Sequence, residues 1–150
     1  MKPLLVLVSC FVISLLATKF FLGIFEVNLS GRIAMSVMLL FTAIAHFAYS
    51  KGMAMMLPAF IPFKTLIVYL TGIIEIMAAI GLQLEYLRVT TAWLLIIFFI
   101  LILPANIYAA KTQVDYQKGD LTGNGTTYLW FRIPLQILFI VWTYYFCILG

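Results

Sequence analysis

The chain has 150 residues, 65% of them apolar and only 9% charged, with nine Lys and Arg set against five Asp and Glu. A typical soluble domain carries about 25% charged residues, so this composition excludes a soluble globule and leaves an integral membrane protein, whose spanning helices each need about 20 apolar residues. The net charge of +4 is scattered with no basic stripe, which argues against nucleic acid as a partner.

In chain order, the first apolar run is Leu4 to Phe25, with Lys19 near its far end. It is longer than a secretory h-region and has no well-placed small-x-small site, so an uncleaved spanning helix is expected. Asn28, Ser30 and Gly31 then supply turn and cap residues before a second run, Ile33 to Tyr49, that carries His46. Lys51 to Phe63 is too apolar for a watery loop and too broken by Pro58 and Pro62 to span, which predicts a short interfacial or re-entrant segment. The third run, Leu66 to Leu84, carries Glu75; the fourth, Ala92 to Ala110, carries Pro104 and Asn106. Lys111 to Leu129, rich in glycine, reads as a flexible hydrophilic loop. The fifth run, Ile133 to Leu149, opens with Arg132, Pro134 and Gln136, the proline falling in its first turn. Trp93, Trp130, Trp142, Tyr144 and Tyr145 read as interface anchors. Cys10 and Cys147 read as inert thiols, and with a single His there is no metal-ligand or bis-imidazole haem spacing.

The expected architecture is all-α: a four-helix transmembrane bundle over residues 32–150, preceded by an additional N-terminal transmembrane helix over 1–31. Five spans place Lys2, Lys51, Lys64, Lys111, Lys118 and Arg132 on one side, against Lys19, Arg32 and Arg88 on the other, so the positive-inside rule expects a cytoplasmic N-terminus.

Ionisable groups inside a bilayer cost a few kcal/mol and need a partner or a task. Glu75 lies nine residues into its run, about 13–14 Å of rise, near mid-membrane. Thr71, Gly72, Ala78 and Ala79 share its face and predict close packing against protein. His46, Asn106, Arg132 and Gln136 all fall near the same end of the bundle, Arg132 and Gln136 on one helical face. Pro104 frees the carbonyl of Ile100, and Asn106 is placed to satisfy such a break. A polar pocket of His46, Glu75, Asn106, Arg132 and Gln136 is expected, with Glu75 paired to Arg132 or to His46. The same groups also suit a purely interhelical, bundle-holding role.

The segment from His46 through Pro58 and Pro62, YLTGIIEIMAAIGL from Tyr69 to Leu82, LPANIYAA from Leu103 to Ala110, and LWFRIPLQILFIVW from Leu129 to Trp142 together resemble the DoxX-like family of small membrane proteins. The resemblance implies a four-helix bundle whose motif positions fall on Glu75, Pro104, Asn106, Arg132, Pro134 and Gln136, with the prolines as helix breaks or caps. It also implies association with quinone chemistry and with membrane or peripheral oxidoreductases, in the plasma membrane of a bacterium. The first helix departs from the four-span pattern; relatives imply an outward-facing pocket, whereas the charge count implies a cytoplasmic one.

Three functions follow as expectations: a redox-associated subunit that binds a quinone or similar apolar molecule, a non-catalytic assembly or interaction protein, and a small transporter. The chain has no flavin, haem or thiol-pair motif, so at most it serves as an accessory to an oxidoreductase. No cofactor is evident from the residues, and quinone is the one that the resemblance adds as an expectation.

Overall fold

The computed structural model describes residues 2–150. Its helices run α1 Lys2–Leu22, α2 Val27–Ala48, α3 Ser50–Ala54, α4 Lys64–Gly81, α5 Glu85–Lys111 and α6 Leu129–Thr143, with a 3-10 turn over Thr126–Tyr128 before α6 and a π-helical turn over Tyr144–Leu149 after it. Five of these units are long and apolar enough to cross a membrane. The protein is an all-α, multi-pass integral membrane protein, as the composition requires.

The apolar excess is divided between an interior and an outer surface. Met35, Met38 and Leu39 of α2, Ala78 and Ala79 of α4, Leu95 and Phe99 of α5 and Phe139 of α6 form a shared core. Ile44, Met77 and Leu101 point outwards and are largely exposed, as lipid-facing positions are. Small residues set how closely the helices pack. A Cβ on Gly72 of α4 would stand 2.9 Å from His46 Cβ, so the small stripe beside Glu75 does face α2. Ser36 Oγ donates to Ala79 O at 2.9 Å, and Gln83 Nε2 donates to Ser36 Oγ at 2.7 Å, pinning the far ends of the same two helices.

Several boundaries differ from expectation. The turn between α1 and α2 falls at Gly23 to Glu26, so Asn28, Ser30 and Gly31 lie inside α2 rather than before it. Gly31 is there because a helix neighbour needs the space: a Cβ would meet the Phe146 ring. Neither proline breaks or caps its helix. α5 runs through Pro104, and α6 starts early enough to put Pro134 in its second turn, where the missing N–H leaves the Trp130 carbonyl free. Trp142 is not an anchor at the membrane surface. Its Nε1 donates to Gly31 O at 3.0 Å, and its ring packs on Phe11 of α1 and on Phe146.

The connection from α5 to α6 is ordered by its own polar groups rather than loose. Asp115 and Asp120 form an isolated β-bridge, and the Asp115 and Asp120 carboxylates accept from the amides of Gln117 and Thr122 at 3.0 Å each. It seats on α3, where a side chain at Gly52 would collide with the Tyr116 carbonyl.

A candidate small-molecule cavity at the polar end of the bundle

A cavity of about 490 Å³ opens where the end of α2, the start of α4, the later half of α5 and the start of α6 diverge. Its walls are mainly apolar, from Phe41, Val68, Phe98 and Ile102, and Met53, Met56 and Leu57 of the α3 segment lie along it. That segment is the interfacial piece predicted from its prolines. Lys64 Nζ donates to Leu57 O at 2.9 Å, tying its end to α4. Lys2, Tyr116 and Arg132 line the same cavity, so the chain start and both later connections meet at one end, as the five-span topology requires.

The polar part of the wall is built on α2 and α4. His46 Nε2 stands 3.4 Å from Glu75 Oε1, with Glu75 only 4% exposed. The opposite ring nitrogen, Nδ1, lies 3.2 Å from Val68 O and 3.0 Å from Thr71 Oγ1, while Thr71 Oγ1 donates to Val68 O at 2.8 Å. A carbonyl can only accept, and Thr71 spends its hydroxyl hydrogen on it, so this network assigns a proton to Nδ1. Nε2 then faces a carboxyl oxygen. At 3.4 Å the two atoms are within ion-pair reach when the imidazole is protonated. The pair therefore sets an acid and a base side by side in the cavity wall. Glu75 Oε2 is buried without a hydrogen-bond partner.

The other predicted residues are sorted by this geometry. Arg132 lines the cavity but is not paired with Glu75: its Nη1 donates to Asn106 Oδ1 at 2.6 Å, and its guanidinium stands 5.3 Å from the Tyr128 ring centre. Asn106 thus positions Arg132 and does not mend the helix at Pro104. Gln136 does the backbone work: its Nε2 donates to Phe99 O at 2.8 Å, one residue before the carbonyl that Pro104 leaves free. It is buried between α5 and α6 and does not line the cavity. Phe99 and Asn106 are seven residues apart, so Arg132 and Gln136, four apart on α6, read one face of α5.

Thr71, Tyr49 and Tyr116 were not predicted as site residues. Thr71 was visible only as a small residue on the Glu75 face, and Tyr116 was hidden in a loop expected to be flexible. Burial pushes the Tyr116 phenol above its ordinary range, with the nearby Arg132 charge opposing that rise. Among the described residues no group of His, Cys, Asp and Glu is arranged to hold a metal ion.

Residues 35–147 match the protein family described as Domain of unknown function (DUF8561). The chain belongs to that family. The match takes in His46, Glu75, Asn106, Arg132 and Gln136 and leaves α1 outside it. No curated protein and no solved structure matches the chain.

Proposed function

We propose that this protein is a DoxX-like subunit of a bacterial plasma membrane that binds a quinone, or an apolar molecule with quinone-like carbonyls, in the cavity beside His46 and Glu75. The observation that carries this reading is the close approach of His46 and Glu75 in the wall of a mainly apolar cavity of about 490 Å³. Ligand pockets of roughly 300–1,000 Å³ are typically apolar with a few placed polar groups. A quinone needs an apolar enclosure for its ring, donors for its carbonyls and a proton source or sink when its redox state changes. Arg132 supplies a donor, and His46 with Glu75 supplies the proton-exchange function. Gln136, committed to Phe99 O, is not among the ligand's donors. An oxidoreductase partner would carry the electrons.

The test is mass spectrometry of solvent extracts from the purified protein, followed by titration of the delipidated chain with a short-chain ubiquinone and menaquinone analogue. Binding is expected in the wild type and is lost, by about tenfold or more, in Glu75→Gln. A ligand-free protein that binds neither analogue, or unchanged affinity in the variant, overturns the proposal. The Arg132–Asn106 and Gln136–Phe99 bonds also suit a protein that only holds a bundle together for a membrane partner. That second reading expects Glu75→Gln to alter stability alone.

A further inference from the structure

A second cavity of about 430 Å³ lies outside the first, between the N-terminus of α1, the start of α6 and the connection that follows α5. Lys2 and Arg132 line both. Three cations face the outer cavity, Lys2, Lys118 and Arg132, against one acid, Asp115. Asp115 is already engaged: its Oδ2 lies 3.8 Å from Lys118 Nζ, and its Oδ1 accepts from the Gln117 and Lys118 amides. The Arg132 side chain has only the neutral Asn106 carbonyl as acceptor. Among the described residues, neither Lys2 nor Arg132 has a carboxylate within ion-pair reach.

Two unneutralised cations facing one cavity at the edge of a bilayer repel each other, and the apolar chamber behind them weakens the screening that water would give. An anion between them removes the repulsion. A phosphate suits the site better than a carboxylate, because Gln117, Asn124 and Tyr128 also line the cavity and a phosphate has acceptor oxygens left for such neutral donors after meeting an arginine. We infer that the outer cavity is a phosphate-binding site at the membrane surface, filled by the headgroup of an anionic phospholipid or by a free phosphate. Lys2 and Arg132 are shared with the inner cavity, whereas Lys118, Asn124 and Tyr128 line the outer one alone.

The experiment is native mass spectrometry of the full chain, with phosphatidylglycerol, phosphatidylcholine and inorganic phosphate titrated separately. Selective retention of phosphatidylglycerol is expected for a headgroup site, and competition by inorganic phosphate for a free-ion site; either supports a phosphate site. Affinity is expected to fall roughly fivefold for each cation removed, in Lys2→Gln and again in the Lys2→Gln/Arg132→Gln pair. Lys2 is exposed, so Lys2→Gln reads the site without threatening the fold. Lys51→Gln, which removes a charge at the same end but outside the cavity, should bind as the wild type does. Retention of neither phosphate species, unchanged affinity in the double variant, or an equal loss in Lys51→Gln overturns the inference.

Discussion

The two ends of the bundle treat polar groups in opposite ways. At the end where α2 begins and the chain finishes, Gly31 sits against Phe146, Trp142 bonds to Gly31 O, and Ser36 joins Gln83 to Ala79 O. The cavity of about 470 Å³ at this end, between the end of α4 and the start of α5, is lined almost wholly by apolar side chains such as Ile74, Met77, Leu84 and Leu94. At the other end, α2 and α4 still touch through Gly72, but α5, α6 and the connections stand away and leave two cavities. Buried polar atoms without a partner occur at both ends, Ser30 Oγ, Arg32 Nε and Arg88 Nε at the first and Glu75 Oε2 at the second, but Glu75 lines a cavity. The difference lies in what the cavities are lined with: the open end sets His46, Glu75 and Arg132 in a cavity wall, whereas the cavity at the first end offers almost only apolar side chains.

The comparison breaks most visibly if the two ends respond alike to substitution. Trp142→Ala removes a packed indole and its bond to Gly31, and should lower stability by roughly 3 kcal/mol or more, read as a fall in the thermal midpoint of the detergent-solubilised protein. Glu75→Gln should leave that midpoint near the wild-type value, since an amide preserves the shape and removes a charge that lacks a full set of partners. A midpoint that falls as far in Glu75→Gln as in Trp142→Ala would make the carboxylate another structural tie.

A smaller loss is expected at Gln136, which belongs by its bonding with the closed region. Gln136→Leu fills a similar volume but removes the bond that ties α6 to Phe99 O of α5, at a cost of about 0.5–1.5 kcal/mol, while quinone-analogue affinity should hold. If affinity falls and stability does not, Gln136 reaches the ligand after all and the sorting of the pocket residues is mistaken.

These two residues also mark how far the chain could be understood from its sequence. Helix existence was legible, because a spanning helix is a long uninterrupted apolar run and nothing else in 150 residues resembles one. So was the convergence of His46, Glu75 and Arg132, which follows from alternating helix direction. Gln136 was misplaced because sequence gives only the helix face a polar residue shares. Whether it reaches a cavity or a neighbour's backbone depends on helix separation, which small residues such as Gly72 decide. The prolines misled for a related reason. Pro104 and Pro134 remove hydrogen bonds without ending their helices, since neighbouring side chains in a bundle can satisfy or shield a freed carbonyl.

Gly72→Ala sharpens the boundary between the regions, because it acts on the α2–α4 contact beside His46 and Glu75. Its added methyl would meet His46 Cβ at 2.9 Å, forcing α2 and α4 apart by a few tenths of an ångström. The cost in stability should be modest, about 1 kcal/mol, but the 3.4 Å separation of His46 Nε2 and Glu75 Oε1 should open. Ligand affinity is then expected to fall more than stability does. Equal losses, or an intact affinity, would mean that the pair tolerates displacement and does not depend on the close helix contact.

The smallest effect concerns the covering of the open end, and Tyr116 reports it directly. This tyrosine lies outside the spanning helices, in the connection that packs over Gly52, and burial raises its phenol above the ordinary value of 10.0. Because the folded value is the higher one, the neutral phenol contributes its stability in full below the unfolded value and loses it as pH rises through the folded value. In an alkaline titration followed by phenolate absorbance, the difference between wild type and Tyr116→Phe should therefore appear above pH 10 and not at it. Arg132 opposes the shift, so Arg132→Gln should move the Tyr116 transition to still higher pH. If Tyr116 ionises at the ordinary value and ignores Arg132, the connection does not seat over the cavities, and the open end admits water to the His46–Glu75 pair without any ligand.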